Sequence, residues 1–213
     1  MLETKSTDKL TLALPKGRVM QESLELLRQA GLNLVASENG RTLKHNAGDA
    51  VLIEMRNSDV PTYVELGVAD AGVVGKDVLL ESEASIYEPV DLGIAICRLA
   101  LIRPINEHHT IRRVASKYPR ITLNYLHQIG SSADVIKLSG NVELACLTGL
   151  ADAVVDIVET GSTLKANNLE EVATILQSSA RFVVNRAALK LKADQLRPLI
   201  AKLRELSNMK HQS

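Results

Sequence analysis

Apolar runs alternate with amphipathic segments along most of the chain, the pattern expected when largely parallel strands are covered on both faces by helices. Residues 10–14 predict a first strand. After Pro15-Lys16-Gly17-Arg18, residues 20–30 place Leu24, Leu27 and Ala30 at helical spacing, and Gly31 suits the helix end. Residues 51–55 predict a second strand. Asp59 then stands where a carboxylate can accept an unpaired N–H and cap a helix, with Pro61 tolerated in the first turn and the end near Gly67. Residues 71–74 and 92–97 read as buried strands, and 113–116 begin a segment leading to Tyr118-Pro119. From Asp194 onward Leu196, Leu199, Ile200, Leu203 and Leu206 share one stripe, an amphipathic helix that covers the first lobe or docks a partner.

An imperfect repeat organises this pattern. Gly67-Val68-Ala69-Asp70-Ala71-Gly72-Val73-Val74 recurs as Gly149-Leu150-Ala151-Asp152-Ala153-Val154-Val155-Asp156. Each copy follows a predicted helix and runs through an apolar strand into a polar loop, Gly75-Lys76-Asp77 in the first and Glu159-Thr160-Gly161-Ser162-Thr163 in the second. The repeat predicts two similar α/β lobes, residues 1–93 with 180–213 and residues 94–179; convergence of two helix-to-strand turns on small residues is the alternative. Open α/β sheets hold ligands at the carboxyl ends of their strands, so both loops are expected to face a common cleft.

Composition narrows the class. The 213 residues carry 25 Lys+Arg against 25 Asp+Glu, so no bulk basic face speaks for nucleic acid, and with 2% aromatic residues stacking platforms for single strands are not expected. Cys97 and Cys146 lie far apart in apolar runs and read as core thiols of a reduced, cytoplasmic protein. No apolar stretch approaches the length of a membrane span, and the N-terminal MLETKSTDKL has no signal-type core.

The sharpest chemical signal is the segment from Asp156 to Leu164. A buried strand enters a turn holding Glu159, Thr160, Gly161, Ser162 and Thr163, and Ser162 or Thr163 can cap a short helix over 164–167. Backbone N–H groups, hydroxyls and a helix start converge there, as a phosphate monoester requires, while Asp156 and Glu159 could accept hydrogen bonds from sugar hydroxyls. An ordinary strand–turn–helix connection is the competing reading. Lys16 and Arg18 follow the first strand and Arg56 the second, which directs three cations to one side of a sheet, where they could neutralise a polyphosphate. No G-x-G-x-x-G, H-E-x-x-H or C-x-x-C is present, and the five histidines show no ligand spacing.

Several ordered motifs between residues 10 and 191 resemble the ATP phosphoribosyltransferases that open histidine biosynthesis. They are Lys16-Gly17-Arg18, Arg56-Asn57-Ser58-Asp59-Val60-Pro61, Gly67-Val68-Ala69-Asp70 through Gly75-Lys76-Asp77, Ser116-Lys117-Tyr118-Pro119, and Gly140-Asn141-Val142-Glu143 through Thr163-Leu164. Cys146 stands where that family often has Pro. The resemblance implies an α/β, two-lobe fold like the type II periplasmic binding proteins with a central ligand cleft. It also implies the reaction of ATP with phosphoribosyl pyrophosphate to give phosphoribosyl-ATP and pyrophosphate, with Mg²⁺ bound through substrate phosphates and no protein metal site. By the same resemblance Asp156, Glu159, Thr160, Gly161, Ser162 and Thr163 hold phosphoribosyl pyrophosphate, and Lys16, Arg18 and Arg56 act as catalytic cations on ATP phosphates and departing pyrophosphate. The chain's length resembles the short form, which implies a homodimer within a hetero-oligomer that includes a regulatory subunit similar to histidyl-tRNA synthetase. A non-catalytic small-anion-binding protein on the same architecture is the alternative.

Overall fold

The computed structural model describes residues 9–35 and 43–211. The N-terminal segment through Asp8 and the side chain of His211, both considered above, lie outside the described residues. The chain divides into two units, one running up to Ala95 and resuming at Ser179, the other spanning Ile96–Ser178.

The first unit begins with β1 (Leu10–Pro15), α1 (Arg18–Gln29), β2 (Lys44–Ala47), β3 (Ala50–Met55), α2 (Val60–Glu65), β4 (Ala71–Gly75), α3 (Lys76–Ser82) and β5 (Tyr87–Asp91). The second unit follows as β6 (Cys97–Pro104), β7 (Arg113–Ser116), α4 (Pro119–Gln128), β8 (Asp134–Lys137), α5 (Leu144–Leu147), β9 (Ala153–Val158), α6 (Ser162–Ala166) and β10 (Leu169–Ser178). The chain then returns to the first unit as β11 (Ala180–Val184), α7 (Ala188–Leu191) and α8 (Ala193–His211). The first unit's sheet has the order β2-β3-β1-β4-β11-β5 and the second unit's β10-β6-β9-β7-β8. In both, a run of parallel strands (β3-β1-β4 and β9-β7-β8) lies beside antiparallel neighbours.

The two-residue period of β1 explains why helices lie on both faces of the first sheet. Leu10, Leu12 and Leu14 enter one core with Leu24, Leu27, Phe182 and the α8 residues Leu196, Leu199, Ile200 and Leu203. Ala13 enters the other, with Val60, Val64 and Val74. The stripe on α8 therefore covers its own unit's sheet, packed against β5 and α1, and only Leu206 is left half-buried.

Two sequence expectations need correction. Residues 92–96 form no strand: β5 ends at Asp91 and β6 starts at Cys97, because Gly93 (φ 61°) and Ala95 (φ 50°) adopt left-handed backbone that breaks the regular ladder, although Leu92 and Ile94 are buried as expected of an apolar run. Asp59 occupies the N-cap position of α2 but caps nothing with its side chain. A 3₁₀ turn over Asn57–Asp59 precedes the helix, and the Asp59 carboxylate instead accepts a hydrogen bond from Ser58 Oγ at 3.0 Å.

The repeat has a physical basis. Gly67 (φ 74°) and Gly149 (φ 70°) both turn left-handed after α2 and α5, a conformation that glycine adopts without the Cβ penalty. Three residues on, Asp70 and Asp152 make the same clamp on the neighbouring parallel strand. Asp70 N–H donates to Thr11 O (2.8 Å) while Asp70 Oδ2 accepts Thr11 N–H (2.7 Å). Asp152 N–H donates to Arg113 O (2.9 Å) while Asp152 Oδ2 accepts both Arg112 and Arg113 N–H (2.8 Å each). Each aspartate thus starts a parallel strand pair by satisfying backbone donors that the ladder leaves open. Among the described residues no helix is long and apolar enough to cross a membrane.

Candidate active site

The carboxyl end of β9 opens into a cavity of about 280 Å³ lined by Ile102, Glu143 and the whole segment from Asp156 to Leu164. Along β9, Val154 and Val158 enter the second unit's core, and the two-residue period puts Asp156 on the same face between them. That placement leaves Asp156 6% exposed. Burial pushes its carboxyl above the usual range, a push that the Ile157 N–H on Oδ1 (2.9 Å) and the Lys117 ammonium oppose, and to which the Glu143 charge adds. A carboxylate set against an apolar wall and opening on a polar cavity retains accepting capacity that the protein does not fill.

The turn after β9 is organised from within. Gly161 is left-handed (φ 77°), and a Cβ there would find only Val158 Cγ1 at 4.0 Å, so glycine is required by conformation and not by crowding. Thr160 Oγ1 and Ser162 Oγ lie 3.1 Å apart in a hydrogen bond. Helix α6 begins at Ser162, two residues earlier than expected, with Gly161 at its N-cap and no side-chain cap bond. The expectation that Ser162 or Thr163 caps it is therefore corrected: both belong to the first turn, whose N–H groups lack intrahelical partners as at every helix start. Thr160, Ser162 and Thr163 are exposed and line the cavity together with this first turn. Such a donor set fits a tetrahedral oxyanion. Arg98 fixes the loop's first residue, donating from Nη1 to Glu159 O (3.2 Å) while its guanidinium is forked on Glu171 (Nε to Oε1 3.1 Å, Nη2 to Oε2 2.8 Å).

In the first unit the structure brings Lys16, Arg18 and Arg56 to the carboxyl ends of two adjacent strands. β1 and β3 run parallel with Pro15 opposite Met55, and Lys16 N–H extends the ladder to Met55 O at 3.0 Å. Lys16 and Arg56 therefore leave adjacent strands at the same end, and Arg18 opens α1 with its Nε 3.5 Å from Glu22 Oε1. All three are exposed. Lys76, which follows the next strand β4, sits at the same end with Nζ 2.7 Å from Glu88 Oε2. Cations in a row at strand ends can hold a polyanion that a single lysine could not. Cys146 takes no part in such chemistry: burial first, then the charges of Glu107 and Asp152, push its thiol up to about 11.

Comparison with known proteins decides the family. Residues 56–205 match the model of the family described as HisG, ATP phosphoribosyltransferase. The chain belongs to the ATP phosphoribosyltransferase family. It is 61% identical over 204 residues to an ATP phosphoribosyltransferase of Deinococcus deserti, covering 96% of this chain and 95% of that protein. Against the Thermus thermophilus ATP phosphoribosyltransferase it is 58% identical, over 93% of this chain and 97% of that one. Among solved structures, a chain of the Thermotoga maritima ATP phosphoribosyl transferase (HisG:HisZ) complex superposes with a TM-score of 0.81 at 37% identity, covering 94% of this chain and 99% of that chain. The periplasmic aliphatic sulphonate binding protein SsuA of Escherichia coli superposes with a TM-score of 0.62 at 12% identity, covering 97% of this chain and 75% of that chain, a likeness of fold alone. The fold is the two-lobe α/β architecture of periplasmic binding proteins.

Three residues around the site of this ATP phosphoribosyltransferase family member went unread in the sequence: Arg98, Glu143 and Lys117. Arg98 reaches Glu171 across 73 residues through the β6–β10 pairing, a contact without local signature. Glu143 and Lys117 lie inside motifs quoted above, which carried a resemblance without a role for either.

Proposed function

We propose that the chain is the catalytic subunit of a short-form ATP phosphoribosyltransferase, in which adenine N1 of ATP displaces pyrophosphate from C1 of phosphoribosyl pyrophosphate to give phosphoribosyl-ATP, the first step of histidine biosynthesis. The observation that carries the reading is the cavity at the end of β9, where one buried acceptor, Asp156, stands beside the hydroxyl-rich turn Thr160–Thr163 in a member of this family. In this reading the 5-phosphate is taken by the turn's N–H groups and hydroxyls, and the ribose hydroxyls by Asp156 and Glu159. Lys16, Arg18 and Arg56 meet the phosphates of ATP and the departing pyrophosphate.

Attack by N1 uses an in-plane lone pair, so no base need remove a proton before the bond to C1 forms and the C–O bond to pyrophosphate breaks. The protein's part is placement of two anions and stabilisation of charge on the leaving group. Among the described residues no three carboxylate, imidazole or thiol groups gather to hold a metal. In this reading Mg²⁺, held by the substrate phosphates, would supply charge neutralisation for the departing pyrophosphate. In the Thermotoga complex HisG is joined with HisZ; by analogy this chain forms a homodimer within a hetero-oligomer, in the cytoplasm, with a regulatory subunit similar to histidyl-tRNA synthetase, on which histidine inhibition depends.

The test is to mix the purified chain with ATP, phosphoribosyl pyrophosphate and Mg²⁺ and follow pyrophosphate and phosphoribosyl-ATP. ATP-dependent release of both is expected, increased or made histidine-sensitive by the partner. No release with the partner present would leave a non-catalytic anion-binding protein on the same fold.

A further inference from the structure

Resting on that reading, the structure around Asp156 assigns a role to Lys117. β7 and β9 run parallel with Ser116 opposite Val155, so Lys117 leaves β7 beside Asp156. The turn that carries it is locked. Buried Ser116 donates from Oγ to Val155 O across the strands (2.7 Å) and accepts Tyr118 N–H (2.9 Å). Thr122 then donates twice to Tyr118 O, from N–H at 2.9 Å and from Oγ1 at 2.7 Å, and Pro119 starts α4 with its fixed φ. Lys117 Nζ lies 3.8 Å from Asp156 Oδ1, with the lysine side chain 42% exposed and the aspartate 9%. At that separation the ammonium acts on the carboxylate as a charge without occupying it as a short hydrogen bond.

We propose that Lys117 is a positioning residue for the transfer: its ammonium keeps the buried Asp156 carboxylate charged and directed into the cavity, ready to accept hydrogen bonds from the sugar hydroxyls. The charges facing Asp156 make this necessary. Glu143, just before α5, and Glu159, on the turn after β9, line the same cavity; the Glu143 charge and the apolar wall of β9 favour the protonated carboxyl, and Lys117 and the Ile157 N–H oppose them. A protonated Asp156 would turn one of its acceptor sites into a donor and lose the charge assistance that roughly doubles each hydrogen bond.

The test is kcat/KM for phosphoribosyl pyrophosphate as a function of pH, in the assembled enzyme, for wild type, Lys117→Met, Lys117→Arg and Asp156→Asn, each checked for folding by circular dichroism. Lys117→Met should lose about tenfold at the acid end of the profile and less than about twofold on the alkaline plateau, as expected for loss of one opposite charge at this range. Lys117→Arg should restore the wild-type acid limb. A loss of equal size at every pH would mean that Lys117 touches substrate itself, and no loss at any pH would mean that it does nothing; either result overturns the proposal. If Asp156→Asn keeps wild-type kcat/KM, the cavity is not the sugar site and the reading beneath the proposal fails first.

Discussion

The paired aspartates of the repeat should differ in cost although they make the same clamp. Asp152 Oδ2 accepts two backbone N–H groups at 2.8 Å. A hydrogen bond to a charged group contributes about 1.5–3 kcal/mol, and because this carboxylate is partly open to water the lower figure applies, giving roughly 3 kcal/mol for Asp152→Ala. Asparagine can present its amide oxygen to both donors and forfeits the charge assistance and the exposed attraction of Arg113 and His109, about 1 kcal/mol together. Among the described residues Asp70 accepts one backbone N–H, from Thr11, and it also holds Lys192 Nζ at 2.8 Å in a pair whose side chains are 13% and 15% exposed. Asp70→Asn removes the countercharge of that partly buried ammonium, which keeps the neutral acceptor Lys9 O at 3.1 Å, and about 3 kcal/mol is expected. The prediction is that Asp70→Asn lowers Tm by about 6–12 °C and Asp152→Asn by about 2–4 °C, at about 2–4 °C per kcal/mol for a chain of this size. Urea unfolding followed by circular dichroism measures the same order. Neither substitution should change kcat per folded molecule, because both aspartates sit at the amino ends of their strands. Equal costs for the two asparagine variants would refute the part assigned to Lys192, and an Asp152→Ala cost below about 0.5 kcal/mol would refute the clamp itself.

The other predictions concern the site. Arg56→Ala should lower kcat by roughly tens to thousands-fold if its charge meets pyrophosphate chiefly as it departs; an effect confined to KM would assign it to ground-state binding. Gly161→Val should abolish measurable phosphoribosyl pyrophosphate binding in calorimetry while costing only about 1–2 kcal/mol of stability, since the space is open and the penalty is the left-handed backbone; retained affinity in the folded variant would count against the loop. Asp156→Asn should weaken phosphoribosyl pyrophosphate binding about tenfold or more yet melt higher than wild type at neutral pH. Burial raises the Asp156 pKa, so the ionised group burdens the folded state above that value and the burden fades as pH falls through it. The difference in Tm should therefore close toward acid pH, and a variant that melts lower at about pH 7.5 would contradict the burial argument.

What could be read from the sequence divides along the range of the interactions. The turn from Asp156 to Thr163 was legible because strand, glycine and hydroxyls lie within a few residues, and the α8 stripe because helical period is local. The repeat was visible, but the clamp that explains it was not: Thr11 meets Asp70 across 59 residues and Arg112 meets Asp152 across 40. Residues 92–97 misled because Leu92 and Ile94 are buried like strand residues, while the left-handed turns at Gly93 and Ala95 are conformations that an alanine does not announce. Asp59 and Ser162 misled in a smaller way, since a side chain with capping chemistry can find a nearer partner, as Asp59 does with Ser58, or fall one position inside the helix.

Asp152, immediately before β9, and Asp156, within it, show how one strand separates folding from chemistry. Burial alone would raise the Asp152 carboxyl, but the N–H groups of Arg112 and Arg113, the Arg113 charge and His109 hold it below the usual range, so its stabilisation is present at neutral pH and is lost only as the pH falls through that lowered value. Asp156 is displaced the other way, and its contribution to folding at neutral pH is unfavourable. A strand selected for stability alone would carry an apolar residue between Val154 and Val158. That a carboxylate stands there, with one backbone N–H and a lysine 3.8 Å away as partial compensation, is the expected mark of a group whose remaining acceptor sites are filled by a ligand. The amino end of the strand satisfies its charge within the fold, and on the reading proposed above the carboxyl end leaves its charge to be satisfied on binding.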